Sequence, residues 1–346
     1  MYSGSSNPIR ILIFAALLTV TALGLRAQSD AQFTQYYEIP AYYNPAAIGL
    51  TDNIHIRGGS RLQWVGIDHA PVTFAAMADM PFKLFSKRWG VGVVLQQESI
   101  GLYNNINANV QAGYKFKALK GNWTVGLTLG LLDKKFKGSE VYIPEGDDYH
   151  ETTDDAIPRT DVHGTAFDIG AGIWYTHPKF YVGLSGLHLN SPVVTFQSDN
   201  GETSGGTSGG SSADGGATES AKNYEFQTGR TLYFTAGSNI PVKNTLFELM
   251  PSLMVKSDFT FTTAEVTARV RYNRFLTAGL GYRYNDAVSI VLGAEIKGFF
   301  LGYSYDYPVS SVAKASSGSH EIFAGYSLKL DLGEKNKNKH KSIRIM

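Results

Sequence analysis

Apolar and polar residues alternate in segments of about ten residues between Asn53 and Leu332, and turn-forming residues separate these segments. In segment 104–117, the even positions from Ile106 to Phe116 are apolar or aromatic, whereas Asn, Gln and Lys fill most of the odd positions. Alternation of this kind predicts strands with one face towards lipid and the other towards water, an arrangement that needs a closed sheet. The pattern therefore predicts an all-β, antiparallel, up-and-down transmembrane barrel of the outer-membrane type.

Turn residues divide the alternating region into fourteen predicted strands. Their approximate bounds are 53–64, 71–81, 89–100, 104–117, 121–133, 164–177, 178–189, 230–239, 244–256, 260–272, 274–285, 287–297, 298–307 and 319–332. Most of them have one clearly apolar face, but the strand at 230–239 is apolar on both faces, so its orientation stays open. An even number of strands is the rule for bacterial barrels formed by one chain.

The lengths of the connections predict how the barrel is oriented in the membrane. Both long connections, 134–163 and 190–229, fall at one end of the predicted barrel, and tight turns at 177–178, 241–244 and 272–274 fall at the other. Bacterial barrels have short periplasmic turns and longer outer loops. We therefore expect the N- and C-termini in the periplasm.

The second face of the predicted strands carries polar side chains and charges of both signs. The clearest are His55, Arg57, Arg61, Gln63, Asp79, Glu98, Lys115, Asp168, Glu265, Arg269, Arg271, Arg283, Glu295 and Glu321. A charge that faces lipid at mid-depth costs about 2–4 kcal/mol, so these side chains are expected in the lumen. Mixed signs favour ion pairs across the lumen or a bound plug over an ion-selective pore. We therefore expect a constricted or filled barrel.

The composition agrees with this class and argues against several others. The 37 glycines and 12% aromatic residues suit small side chains inside a barrel and an aromatic girdle outside it. A formal net charge of +1 gives no case for nucleic-acid binding. In "GSHE" (318–321), neighbouring side chains point to opposite faces of a strand and cannot form a catalytic triad as a unit. We expect no enzyme activity, no cofactor and no metal centre.

The chain outside the strands divides into four kinds of segment. Residues 1–27 have the basic start and short apolar run of a signal peptide, with a membrane anchor helix as the alternative. Residues 28–52 are rich in aromatics and Asn-Pro, and residues 333–346 form a basic tail after the barrel of 53–332. The acidic connection 134–163 lacks a calcium-loop spacing, so a solvated loop is favoured over a Ca²⁺ site. The Gly/Ser-rich stretch in 190–229 is predicted to be a flexible loop.

Basic residues concentrate in the turns predicted to face the periplasm. They include Lys87, Arg88, Lys120 and Lys243, and the basic tail follows the last strand at the same end. This positive rim is suited to an acidic partner or to anionic lipid headgroups of the outer membrane. The alternative is that these lysines only keep the turns soluble.

Three separated blocks of the chain resemble the PorP/SprF family of outer-membrane proteins, which is associated with type IX secretion and gliding motility. The matching residues of the opening block are Asp30, Gln32, Phe33, Gln35, Tyr36, Asn44, Pro45, Ala46 and Gly49. Those of the second block are Arg61, Gln63, Trp64, Pro71 and Thr73. Those of the closing block are Tyr305, Asp306, Tyr307, Gly318, Ser319, His320 and Glu321. The resemblance covers nearly the whole mature chain in order, but not the two long outer loops.

The resemblance implies a non-enzymatic role in the export or surface attachment of particular secreted proteins. It implies three partners: a periplasmic PorE-like lipoprotein (OmpA-like, peptidoglycan-binding), other type IX components and the secreted surface protein itself. The partner-binding candidates are Gln32, Phe33, Gln35, Tyr36, Asn44, Pro45, Lys87, Arg88, Lys120 and Lys243. The candidates for a lumenal or structural role are Arg57, Arg61, Gln63, Asp306, His320 and Glu321. The aromatic segment 33–43, which lacks a lipid-facing pattern, is expected inside or beneath the barrel, where it organises the inner face for a partner. The alternative is an ordered segment that only closes the barrel. The competing function is a transport channel for small or hydrophobic solutes.

Overall fold

The computed structural model describes residues 30–141, 158, 160–198 and 224–330. The predicted signal peptide, the basic tail, the Gly/Ser-rich stretch and most of the acidic connection lie outside these residues. Fourteen long strands form a closed antiparallel barrel, so the predicted fold class is confirmed.

The barrel strands are numbered in chain order. They are β1 (Asn53–Leu62), β2 (Val72–Leu84), β3 (Lys87–Ile100), β4 (Tyr103–Ala118), β5 (Gly121–Lys137), β6 (Asp161–Thr176), β7 (Phe180–Leu187), β8 (Thr231–Ser238), β9 (Phe247–Ser257), β10 (Thr262–Tyr272), β11 (Leu276–Arg283), β12 (Ala287–Ile296), β13 (Phe299–Pro308) and β14 (Ser319–Lys329). Each strand pairs with its neighbours in sequence, and β1 closes the barrel against β14, with Asn53 opposite Lys329 and Leu62 opposite His320.

Short elements accompany the barrel. Single helical turns lie at Tyr36–Glu38, Pro40–Tyr43, Gly138–Glu140 and Ser311–Lys314. Short strands lie at Val193–Thr195, which pairs with Glu225–Gln227, at Gln197–Ser198, which pairs with β6, and at Ile240–Pro241, which pairs with β9. No helix among the described residues has the length and apolar character needed to cross a membrane.

The two ends of the barrel differ. We call the end where β1 begins and β14 ends the turn end, because tight turns such as Phe85–Ser86 and Leu119–Lys120 lie there. The opposite end is the loop end, where both long connections leave the barrel. Strand β5 ends at Lys137 and strand β6 begins at Asp161, so the acidic connection between them is shorter than the predicted 134–163.

The alternation separates an apolar outer surface from a polar inner wall, as the sequence pattern predicts. On β4, for example, Val110 is 60% exposed on the outer face while its neighbour Gln111 is 3% exposed on the inner face. The orientation of β8, which the sequence left open, is also settled: Phe234 faces outwards and Tyr233 faces inwards. Both faces of β8 are apolar because its inner face packs against another part of the chain, the segment before β1.

Candidate functional site

The segment that precedes β1 fills the lumen of the barrel. We call residues 30–52 the leader. Most of its aromatic and aliphatic side chains are buried, and the largest of those less than 2% exposed are Phe33, Ile39, Tyr43 and Ile48. They form one apolar cluster with inward-facing wall residues such as Phe323. The lumen is therefore closed by the chain's own N-terminal segment.

The leader also makes backbone contacts with a wall carboxylate in the half of the lumen nearer the loop end. The two carboxylate oxygens of Glu321 accept the backbone N–H groups of Thr34, at 2.9 Å, and of Gln35, at 2.8 Å. The Thr34 hydroxyl donates to Asp306 at 2.8 Å. Both carboxylates are buried, so these are charge-assisted hydrogen bonds in a site shielded from water.

Two wall arginines neutralise the carboxylates that hold the leader. Arg61 lies 2.7 Å from Asp306 and 3.2 Å from Glu321. Arg283 lies 2.9 Å from Glu265 and 3.4 Å from Asp306. We call these five residues the charged cluster. A buried charge without a partner costs several kcal/mol, so this pairing is what permits the carboxylates to face the leader.

The beginning of the leader is anchored by a second polar group. The Asp30 carboxylate lies 3.0 Å from Nε2 of His188 and accepts a 2.6 Å hydrogen bond from the Tyr233 hydroxyl. The Lys256 ammonium donates to the backbone carbonyl of Asp30. Nδ1 of His188 lies 3.0 Å from Asp168. Burial alone lowers the pKa of His188, but the two carboxylates outweigh it and raise this pKa to about 10. The imidazole is therefore cationic at neutral pH and locks Asp30 to the wall.

The middle of the leader is held by weaker contacts with the wall. Glu38 lies 3.8 Å from Arg57 and 3.9 Å from Arg269. The Arg269 guanidinium stacks 3.2 Å from the centre of the Tyr37 ring. The Tyr36 hydroxyl donates to Ser252 at 2.9 Å.

The leader leaves the lumen at the turn end. The Gly49 N–H donates to Asp79 at 2.7 Å, and the Lys115 ammonium donates to the carbonyls of Gly49 and Leu50 at 2.6 and 2.9 Å. Asp52 then pairs with Arg88 at 3.0 Å on the rim. The leader thus runs from the loop half of the lumen to the turn end, where β1 begins.

Small wall residues make room for the leader. A Cβ atom at Gly126 of β5 would lie 2.3 Å from the Pro45 carbonyl oxygen, closer than real Cβ contacts. A cavity of about 20 Å³ remains between the leader and β3–β7, room for about one water molecule. In the described part of the chain, the leader and the wall therefore fit closely.

The predicted candidates fall into different environments. Phe33, Gln35, Tyr36, Asn44 and Pro45 are buried inside the lumen, and Gln32 is half-buried there with its amide 2.8 Å from Glu265. Those side chains bind the barrel's own wall. Lys87, Arg88, Lys120 and Lys243 are exposed at the turn end.

The proposed lumenal residues are divided too. Arg57, Arg61, Asp306 and Glu321 face the lumen, and Gln63 is half-buried just beyond β1 at the loop end. His320 requires a correction: it lies on the outer face, where Nδ1 is 2.8 Å from the Tyr303 hydroxyl. Alternation along β14 turns it away from its neighbour Glu321.

Sequence reasoning did not single out Thr34 or His188 as contacts of the leader. Thr34 lies between two residues of the opening block, which is the one signal that could have drawn attention to it. His188 follows β7 by one residue, and no local pattern marks it.

Comparison with known proteins identifies the family. The family model of the type IX secretion system membrane protein PorP/SprF matches residues 25–326. The chain belongs to the PorP/SprF family. It is accordingly an outer-membrane β-barrel of the type IX secretion system, a secretion and transport membrane protein. The predicted family is thereby confirmed.

No match was found among curated proteins. The solved structures with similar folds include the toluene transporter TbuX of Ralstonia pickettii, with 11% identity, a TM-score of 0.47, and coverage of 83% of this chain and 92% of that one. They also include Omp33 of Acinetobacter baumannii, with 8% identity, a TM-score of 0.41, and coverage of 82% and 100%. The translocator domain of the autotransporter NalP from Neisseria meningitidis has 13% identity, a TM-score of 0.39, and coverage of 80% and 87%.

Proposed function

We propose that this barrel supports the export or cell-surface attachment of specific secreted proteins, together with a periplasmic peptidoglycan-binding partner. The observation that carries the proposal is the leader-filled lumen in a chain of the PorP/SprF family. Among the described residues, the leader packs against the wall across the lumen, and this supports a role that the barrel performs through its surfaces over the passage of a solute.

We further propose that the turn end faces the periplasm. Both long connections leave the barrel at the loop end, and bacterial barrels place long loops outside the cell. The leader emerges at the turn end and carries Asp52 on the rim beside Arg88. In this orientation the exposed basic residues Lys87, Lys120 and Lys243 face the periplasm, where an acidic partner would meet them.

The leader has a specific part in the proposal. Its contacts with Glu321, Asp306 and His188 fix it to strands on both sides of the lumen, so it braces the wall from within. A braced barrel presents the loops at one end and the turns at the other in a constant relative position. Such rigidity suits a protein that links a secreted protein outside to a peptidoglycan-bound protein inside.

The experiment that tests the proposal is deletion of the gene followed by proteomic comparison of the culture medium and the cell surface. We expect the loss of one or a few specific surface proteins, restored when the wild-type gene is returned on a plasmid. Uptake of small aromatic and aliphatic solutes is measured in the same strains. Unchanged secretion with impaired solute uptake would overturn the proposal in favour of a transport channel.

A further inference from the structure

Two neighbouring hairpins at the turn end carry an apolar residue at their tips. Phe85 in the β2–β3 turn is 88% exposed, and Leu119 in the β4–β5 turn is 78% exposed. The strands β3 and β4 are paired, so these hairpins lie side by side with their tips about 10 Å apart, two strand spacings. Large apolar side chains are thus held together, almost fully in solvent.

The backbone at these tips adopts a left-handed conformation that large apolar residues such as Phe and Leu rarely take. Phe85 has φ of 50° and Leu119 has φ of 52°, and the residues that follow, Ser86 and Lys120, are left-handed too. Two-residue turns of this kind favour Asn and Gly. At the other turns of this end the left-handed positions carry polar residues or glycine, such as Asn273 and Gly298. Exposure to solvent alone does not explain Phe or Leu at these positions. Insertion of the two side chains into a partner protein explains them.

The tips extend beyond the membrane interface. Outward-facing aromatic residues form a girdle near the turn end, with ring centres 4.9 Å apart for Trp89 and Tyr114 and 4.8 Å apart for Trp123 and Tyr175. Such girdles mark the edge of the apolar layer. Phe85 is three residues beyond Phe82, which pairs with Trp89. Leu119 is three residues beyond Phe116, which pairs with Trp123. Three residues rise about 10 Å along a strand, or about 8 Å along the barrel axis at a tilt of about 40°.

This distance indicates whether lipid or protein contacts the two side chains at the tips. The headgroup layer is about 5–7 Å thick on each side of the hydrocarbon core, so both tips lie at or past its outer limit. Acyl chains are out of reach there. An apolar pocket for Phe85 and Leu119 must then come from a protein.

The charge around the tips indicates what kind of protein. Exposed lysines flank both tips, namely Lys83, Lys87, Lys117 and Lys120, and the sequences KLFSKR and KALKGN contain no acidic residue. The neighbouring Arg88 is paired with Asp52, so the lysines carry the positive charge of this surface. A cationic rim around apolar anchors is complementary to an acidic surface with apolar pockets. We call residues 83–88 and 117–120 the tip surface.

We propose that the tip surface docks a folded, acidic-faced protein at the turn end, with Phe85 and Leu119 as its apolar anchors. This inference rests on the proposed function, since it describes where the partner at that end binds. It adds the two anchors and the chemistry of the partner's surface. The anchors adjoin strands that hold the exit of the leader, through Arg88 on β3 and Lys115 on β4.

The test uses a double variant that improves the turns while removing the anchors. Phe85→Asn and Leu119→Asn place a residue suited to left-handed backbone at each tip, so the barrel is expected to fold at least as well as the wild type. Asn273→Gly, in a tip on another part of the same end, is the matched control, because Gly also suits the left-handed backbone there. Folding of each variant is checked by its heat-modifiable mobility on gels.

A photo-reactive phenylalanine analogue is placed at 85, at 119 and, as control, at 273 in the full-length protein in living cells. We expect one and the same periplasmic protein to cross-link at 85 and 119 but not at 273. That protein is then purified, and its Kd for the detergent-solubilised barrel is measured. The double variant is expected to raise the Kd at least tenfold, because buried apolar anchors dominate interface energetics. Lys87→Glu with Lys120→Glu should also raise it, with a weaker effect at high salt.

Three results would overturn the inference: no protein cross-link at 85 and 119, cross-links to lipid only, or a Kd unchanged by the double variant. The secretion comparison after gene deletion separates this inference from the proposed function. If deletion of the gene removes surface proteins but no protein cross-links to the tip surface, the docking site is refuted and the export role stands. Unchanged secretion, with a partner that binds the tips, refutes the export role alone.

Discussion

Removal of the Glu321 carboxylate is predicted to destabilise the protein strongly, because this side chain holds the backbone of the leader. Glu321 accepts two leader N–H groups, at 2.9 and 2.8 Å, and pairs with Arg61 at 3.2 Å. In Glu321→Ala the N–H groups of Thr34 and Gln35 lose their acceptor in a buried site, while Arg61 keeps Asp306. A buried backbone N–H group that loses its acceptor costs about 1–3 kcal/mol, so the two groups together cost about 2–6 kcal/mol. We expect a loss of that size in the free energy of unfolding.

The measurement is urea unfolding in detergent micelles, followed by tryptophan fluorescence, for which the chain offers four Trp residues. Glu321→Gln keeps one acceptor oxygen and should fall between wild type and alanine variant. Glu140→Ala is the control, because Glu140 also pairs with a basic side chain, Lys137 at 2.8 Å, but both side chains are exposed and lie at or just beyond the end of β5, away from the leader. Its loss should stay below about 1 kcal/mol. If Glu321→Ala costs no more than this control, the leader is not held as described.

Two further variants test the close fit and the anchor of the leader. Gly126→Val places a Cβ 2.3 Å from the Pro45 carbonyl and should destabilise the protein by about 1–3 kcal/mol in the same unfolding assay, whereas Ala166→Val, at a half-buried position of β6, should cost less. The anchor predicts a pH dependence: the pKa of His188 rises from 6.5 to about 10 on folding, so its contribution is complete below pH 6.5 and is lost as pH rises through 10. His188→Gln should remove this part of the pH profile, and a profile unchanged by the substitution would contradict the assigned ion pairs.

Local alternation was sufficient to predict the barrel. A strand with lipid on one side shows its orientation residue by residue, so Val110 and Gln111 could be assigned to opposite faces from the sequence. The strand β8 was the exception, since Tyr233 on its inner face packs against Tyr43 of the leader, at 5.3 Å between ring centres. Its two apolar faces were a sign of the filled lumen that the pattern alone could not interpret.

The path of the leader could not be predicted in the same way. The leader has no strand periodicity, and its partners lie far along the chain: 287 positions separate Thr34 from Glu321 and 158 separate Asp30 from His188. Which wall residues meet depends on strand register around the closed sheet, which alternation does not specify. The mixed charges of the wall were predicted to form ion pairs or to bind a plug. The charged cluster shows both kinds of contact, because Arg61 pairs with Asp306 of the wall and also donates to Thr34 of the leader, at 3.2 Å.

The central claim is that the leader closes the barrel, and electrical recording tests it most directly. Because the chain contains no cysteine, Tyr36→Cys with Ser252→Cys allows the leader to be cross-linked to β9 by a short bifunctional thiol reagent, which spans the space that the Tyr36 ring fills when its hydroxyl reaches Ser252 at 2.9 Å. We predict no large single-channel steps in planar bilayers for the wild type or the cross-linked form, and frequent large steps for a form lacking residues 30–48. Large, stable steps from the wild-type protein, abolished by the cross-link, would show that the leader moves out of the lumen and would contradict the account.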